Sequence, residues 1–83
     1  MEREEIIAQA RALLLEGAAQ MEDAETAQGK LPGAAKVSRA GQMLVNLGGI
    51  VLAREVHATL GEFQRTVELQ WYGLSDGENT WLP

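Results

Sequence analysis

Small and large apolar residues recur at seven-residue intervals in both halves of this 83-residue chain. The steps between them alternate between three and four residues, which keeps them on one face of an α-helix. Because small residues let a partner backbone approach closely, the pattern predicts two helices in tight contact. The small residues are Ala10, Gly17, Ala24, Ala34, Gly41 and Gly48, and the large ones are Ile7, Leu14, Met21, Val37, Leu44 and Val51.

Residues that end a helix separate the two sets of seven-residue repeats. Gly29 is typical of the position just past a helix, and Pro32 cannot continue one. The acidic residues at positions 2, 4 and 5 favour a helix start there, because they lie at the positive end of the helix dipole. The sequence therefore predicts one all-α domain, a close-packed antiparallel helical hairpin. Its predicted bounds within residues 1–83 are helix one at 3–28, a turn at 29–33, a long second helix at 34–72 and an irregular tail at 73–83.

Folding back at this turn sets a register in which residue numbers sum to about 61 or 62. Small residues then face large ones: Ala24 faces Val37, Gly17 faces Leu44, Ala10 faces Val51, Met21 faces Gly41 and Leu14 faces Gly48. The same register places Glu25 opposite Lys36 and Glu22 opposite Arg39. We expect these to be surface ion pairs of about 0.2–1 kcal/mol each.

The second predicted helix is longer than the first and overhangs it. Breaks are expected near Gly48–Gly49 or at Gly61, and the helix beyond Gly61 has no partner in the predicted hairpin. The aromatic residues fall in this overhang, which predicts an exposed apolar surface for binding. The predicted interaction surface consists of Val56, Leu60, Phe63, Val67, Trp71, Tyr72 and Trp81.

Two alternatives for this segment stay open. The chain can bend at Gly61 or Gly73 and pack the aromatic residues onto its own hairpin. Residues 66–82 can also form a β-hairpin, with a turn at Asp76–Gly77, although a lone two-stranded hairpin is marginal in water.

Composition limits the classes of protein that fit. The chain has 12 acidic and 7 basic residues, a net charge of −5 and no cysteine, so it has no disulfide or thiolate metal site. The longest apolar run, 43–53, is about half the length needed to cross a bilayer. The acidic N-terminus differs from the basic start of a secretory signal. We therefore expect a cytoplasmic protein without a membrane span.

No motif in the sequence indicates a reaction. The single histidine, His57, has Ala53, Arg54, Leu60 and Gly61 at helical spacing, and none of these is a metal ligand. No nucleophile motif surrounds Ser38 or Ser75. The acidic residues near Glu22 lack the spacing of helical metal sites. We expect no enzyme activity, cofactor or metal.

The sequence predicts a small acidic protein-protein interaction module, of the kind found among adaptors, inhibitors of phage or mobile-element origin and assembly components. We expect it to form a homo-oligomer and to bind a protein partner through the aromatic helical surface. The alternative is a dimeric nucleic-acid-binding regulator. It would use the basic residues of the segment 29–54, which has no acidic residue: Lys30, Lys36, Arg39 and Arg54.

Overall fold

The computed structural model describes residues 2–72 and shows three α-helices. Helix α1 spans Arg3–Asp23, α2 spans Leu31–His57 and α3 spans Gln64–Tyr72. Short 3₁₀ turns at Gln28–Lys30 and Gly61–Phe63 precede α2 and α3. The predicted all-α hairpin with a long second helix is confirmed, since α1 packs along α2. The alternative of a β-hairpin over residues 66–82 is wrong for the part that is described, because residues 64–72 are helical.

Helix α1 is shorter than predicted and α2 begins earlier. α1 ends at Asp23, and Glu22, Asp23 and Glu25 place negative charge at its end without any basic residue in the last turn. Acidic groups at the negative end of a helix dipole disfavour further turns. Pro32 lies in the first turn of α2, where its missing N–H has no intrahelical partner to lose. The prediction that Pro32 belongs to the turn was therefore wrong.

These bounds shift the register of the hairpin. Gly17 faces Gly33, and a Cβ placed on Gly17 would lie 2.6 Å from the carbonyl oxygen of Gly33 and 2.9 Å from Cγ2 of Val37. The predicted partner of Gly17 was Leu44. Since the turn is centred about four residues earlier than expected, the predicted pairs are wrong. The close contact of backbones at Gly17 is nevertheless present.

The ion pairs change with the register. Lys36 Nζ pairs with Glu16 Oε1 at 2.6 Å, and Glu22 Oε2 accepts a hydrogen bond from Thr66 Oγ1 at 2.9 Å. The sequence-based register had predicted different partners: Glu25 for Lys36, and Arg39 for Glu22. Lys36 and Glu16 are 30% and 59% exposed at their side chains, so the pair contributes little to stability.

Two glycines break the predicted helix of 34–72 at the places where breaks were expected. Gly49 has φ 73° and ψ −169°, a non-helical conformation inside α2. Gly61 has φ 59°, and the segments on either side of residues 58–60 are bent by 116°. The apolar face of α2 rotates at the first break, so Leu44 is buried whereas Val51 is 66% exposed.

The bend after α2 is held by side chains at both ends. Arg11 of α1 donates from Nε to Thr59 Oγ1 at 3.0 Å and from Nη2 to the Thr59 carbonyl at 3.2 Å. The Thr59 hydroxyl donates to the Val56 carbonyl at 2.7 Å, and Gln64 Nε2 donates to the Ala58 carbonyl at 3.2 Å. The bonds to the Ala58 and Thr59 carbonyls give partners to groups at the end of α2, where helix carbonyls lack intrahelical donors.

We expect substitutions of the two positive-φ glycines to lower stability through backbone strain alone. A Cβ on either residue would have nothing within 4 Å. Gly61→Ala should reduce the free energy of unfolding by about 1–2 kcal/mol, and Gly49→Ala by about 1–3 kcal/mol. Asparagine tolerates left-handed backbone better than alanine, so Gly61→Asn should cost less than Gly61→Ala. Urea unfolding followed by circular dichroism measures these differences, and equal stability of all variants would contradict the two conformations.

Candidate interaction surface

The predicted aromatic surface lies in the core of the chain. Val56, Leu60, Val67 and Trp71 are between 0 and 5% exposed, and Phe63 is half-buried against them. The expectation that they form an exposed surface is wrong for the described chain, because the bend at Gly61 folds α3 back onto α1 and α2. Of the remaining predicted residues, the side chain of Tyr72 and the whole of Trp81 lie outside what the structure describes.

Trp71 fixes α3 against the first half of α2. Its indole Nε1 donates to the carbonyl of Val37 at 3.0 Å, and a Cβ placed on Gly41 would lie 2.6 Å from the same nitrogen. One residue earlier, Gln70 Nε2 donates to Ser38 Oγ at 3.1 Å. Gly41 therefore leaves room for the indole ring of α3. The sequence-based register had assigned this space to Met21 of α1.

His57 joins the end of α2 to α3. Its Nε2 lies 3.0 Å from the carbonyl oxygen of Gln64 and 3.1 Å from Glu68 Oε1. Both neighbours are acceptors, so a hydrogen on Nε2 can be donated to them. The ring centroid is 6.2 Å from that of Trp71. The histidine thus has a structural role in holding the bend, and within residues 2–72 no group of three or more His, Asp or Glu side chains is placed to hold a metal ion.

The exposed side of α2 differs from that of α1 in charge. Each helix has eleven exposed residues, of which seven are charged in α1 and two in α2. Depletion of charge distinguishes the central part of protein interfaces from the rest of a surface. We define the outer face of α2 as its eleven exposed residues, which are Leu31, Pro32, Ala35, Arg39, Gln42, Val45, Asn46, Gly48, Ile50, Val51 and Glu55.

The outer face of α2 also holds most of the exposed large apolar side chains. Among residues 2–72 there are five of these, with exposures between 36 and 66%. Four belong to the outer face, and three of the four lie close to the break at Gly49. The fifth, Leu69, lies on α3 beside an open cleft of about 200 Å³ that Met21, Glu22, Lys30 and Thr66 also line. The four on α2 are Leu31, Val45, Ile50 and Val51.

The basic residues of the nucleic-acid hypothesis do not form one free cluster. Lys36 is paired with Glu16 and Arg54 is half-buried near the end of α2. Lys30 and Arg39 are exposed. That hypothesis needed these residues to be free of Glu22 and Glu25; the observed partner of Lys36 is Glu16 instead, and Glu22 accepts a hydrogen bond from Thr66.

Sequence reasoning missed the outer face of α2 although part of its signal was visible. The segment 29–54 contains no acidic residue in a chain of net charge −5. The sequence-based register pairs basic residues of this segment, Lys36 and Arg39, with the acidic residues Glu25 and Glu22 of the first helix. Recognising the face required the positions that α1 and α3 cover, and these depend on the register and on the bend at Gly61.

Within residues 2–72 no single helix is long and apolar enough to cross a membrane. The segments Gln28–His57 and Gly61–Trp71 reach the required length and apolar composition only when they are taken together, and they are bent by 116° relative to each other. The apolar residues of this pair include core residues such as Leu44 and Val67, which are fully buried against the other helices. Comparisons with protein-family models, with curated proteins and with solved structures found no match.

Proposed function

We propose that this chain is a small acidic protein-protein interaction module whose binding surface is the outer face of α2. The observation that supports it most is the contrast between two helices of one molecule, with seven charged residues among eleven exposed on α1 and two among eleven on α2. A helix face with few charges loses little solvation free energy when it is buried, so it is suited to contact with another protein.

The apolar side chains of the outer face supply the attraction. Val51 and Leu31 are 66 and 63% exposed, and covering them releases water from aliphatic surface. Burial stabilises a complex by about 25 cal/mol for each Å² of apolar surface removed from water. Gln42 and Asn46, exposed between them, can donate and accept hydrogen bonds at the rim of a contact.

The mechanism is helix-on-helix binding with α1 and α3 as a rigid support. α3 holds α2 from the side through Trp71 and Gln70, and α1 holds it through the contact of Gly17 with Gly33. A face fixed by packing on both sides loses little conformational entropy on binding. The protein therefore acts by occupying a surface of its partner.

Site-specific photocrosslinking tests this assignment. We expect a photoreactive residue placed at Gln42 or Val51 to give protein adducts in cells of the organism that encodes the chain. The same residue at Ala12, an exposed and uncharged position of α1, is the matched control and should give few adducts. Equal adducts at all three positions, or adducts at position 12 alone, would contradict the proposal.

A further inference from the structure

We propose that two copies of this chain exchange their α3 helices, through a change at Gly61 that joins α2 and α3 into one helix. In the structure, α3 fills a groove of its own chain, and in the exchanged dimer it fills the same groove of the second copy. The exchange is separate from the binding function proposed above and does not depend on the outer face of α2. The groove is lined by residues of α1 and α2 that bond to α3 or lie against it: Glu22, Val37, Ser38 and Gly41.

The backbone of the bend between α2 and α3 is helical on both sides of Gly61. Ala58 has φ −62° and ψ −18°, Leu60 has φ −86° and ψ −6°, and Gln64 has φ −52° and ψ −46°. All three lie in the right-handed region, whereas Gly61 has φ 59°. Glycine adopts either sign of φ at little cost. A reversal of φ at Gly61 is therefore the main step needed to continue α2 into α3.

The apolar pattern of the sequence fits the continuous helix as well as the bent one. Large apolar residues follow one another through the bend at steps of three and four, which places them on one face of an uninterrupted helix. A straightened chain uncovers both this face and the groove. A second straightened copy supplies the complement of each. The residues of this face are Leu52, Val56, Leu60, Phe63, Val67 and Trp71.

Exchange restores between two copies the bonds that α3 makes to the groove within one. Within residues 2–72 three hydrogen bonds of this kind join residues 44, 32 and 34 positions apart, none of them across the bend itself. Each can therefore form equally well with α3 of a second copy. The three bonds run from Thr66 to Glu22, from Gln70 to Ser38 and from Trp71 to the carbonyl of Val37.

Contacts across the bend favour the bent monomer. His57 Nε2 lies 3.0 Å from the carbonyl oxygen of Gln64, and Gln64 Nε2 donates to the Ala58 carbonyl at 3.2 Å. In one continuous helix about 9–10 Å of rise would separate the residues of each pair, so straightening breaks both contacts. Association also costs translational and rotational freedom. We therefore expect wild type to be a bent monomer in dilute solution and to exchange α3 at high concentration.

Gly61→Ala tests the hinge. Alanine is strained in left-handed backbone and favours a helix, and a Cβ at this position would have nothing within 4 Å, so the change acts through the backbone. Because exchange relieves the strain in both copies, the dissociation constant of the dimer should fall at least about tenfold relative to wild type. Sedimentation equilibrium at increasing concentration measures it.

Two variants are the controls for this change. Gly61→Asn should lower the dissociation constant less than Gly61→Ala, because asparagine tolerates left-handed backbone. Gly49 also has positive φ, 73°, and open space around a Cβ, but it lies inside α2 and away from the bend. Gly49→Ala should therefore leave the dissociation constant unchanged.

A crosslink between two single-thiol variants distinguishes exchange from any other dimer. The chain has no cysteine, and Thr66 contacts Glu22. One chain carries Gly61→Ala with Glu22→Cys, and the other carries Gly61→Ala with Thr66→Cys. The two are unfolded in urea, refolded together at high concentration and treated with a short bismaleimide. We expect a covalent dimer with one chain of each kind, and much less of it when Gly61 is retained.

Three outcomes would overturn the exchange. They are a Gly61→Ala variant that stays monomeric at millimolar concentration, equal association of Gly61→Ala and Gly49→Ala, and dimers that give no crosslink between the two introduced thiols. Should Gly61→Ala fail to fold by circular dichroism, the two single-thiol chains with Gly61 retained are refolded together at millimolar concentration. A crosslinked dimer then supports the exchange, and its absence rejects it.

Discussion

Replacing Trp71 by alanine is expected to reduce the free energy of unfolding by about 3–5 kcal/mol, the usual cost of removing a buried tryptophan. The side chain is 3% exposed, contacts Gly41 and donates a hydrogen bond to Val37. Small domains have total stabilities near the lower end of about 5–15 kcal/mol. We therefore expect Trp71→Ala to be largely unfolded near 37 °C. Urea unfolding followed by far-ultraviolet circular dichroism measures the loss.

A neighbouring exposed residue is the control for this change. Leu69 lies on the same helix and is 61% exposed, so Leu69→Ala should alter the free energy of unfolding by about 0.5 kcal/mol or less. Equal and small effects of the two alanine substitutions would show that Trp71 is a surface residue, as the sequence had suggested.

The contact of Trp71 with Gly41 has its own test. A Cβ on Gly41 would lie 2.6 Å from the indole nitrogen, so Gly41→Ala should displace the ring and lower stability. In a Trp71→Leu background the ring is absent, and the same change should cost much less, since alanine favours a helix over glycine by about 1 kcal/mol. Identical costs in both backgrounds would contradict the contact, because residues that touch do not have additive effects.

Gly17→Leu is the second change with a large expected effect, a loss of about 3 kcal/mol in the free energy of unfolding from overpacking. The added side chain would meet the backbone of Gly33 and the side chain of Val37, and backbone cannot rotate away. Gly17→Ala should also destabilise, by about 1–2 kcal/mol, in spite of the better helix propensity of alanine.

The matched control for Gly17→Leu is Ala12→Leu. Both changes add a leucine side chain to α1, but Ala12 is exposed whereas Gly17 is buried against α2. We expect Ala12→Leu to leave the melting temperature almost unchanged. A melting temperature that rises in Gly17→Leu would mean that the two backbones are not in contact there.

The helical pattern was sufficient to predict the hairpin and the role of Gly17. The spacing of Leu14 and Leu44 identified their helix faces, and both side chains are fully buried. The glycines at 48–49 and 61 were identified as possible breaks. Gly49 and Gly61 both have positive φ angles, Gly49 at the break inside α2 and Gly61 at the bend before α3.

The register could not be predicted because it depended on where Pro32 lies. A proline stops a helix or begins one, and periodicity does not distinguish the two cases. With Pro32 placed in the turn, Gly41 was assigned to Met21 and left no space for Trp71. The interaction surface was predicted for a different reason, because the second helix was expected to continue past Gly61 beyond the end of helix one; the bend there instead brings Trp71 against Gly41.

The direction of the chain after Gly61 could not be predicted from the sequence either. The bend brings Thr66 to Glu22 and Gln70 to Ser38, contacts between residues that are 44 and 32 positions apart in the sequence. Local propensity favours a helix at 64–72 but does not indicate which neighbours it meets. For this reason the outer face of α2 became evident only from the folded chain.

Acrylamide quenching of Trp71 fluorescence tests the central claim that α3 folds back into the core and leaves the outer face of α2 exposed. The chain has two tryptophans, so Trp81→Phe makes Trp71 the single emitter. We predict blue-shifted emission, weak quenching and no change between micromolar and high micromolar protein, because the ring is covered by its own chain. Emission near that of free tryptophan, strong quenching in dilute solution, or shielding that appears only at high concentration would contradict the account.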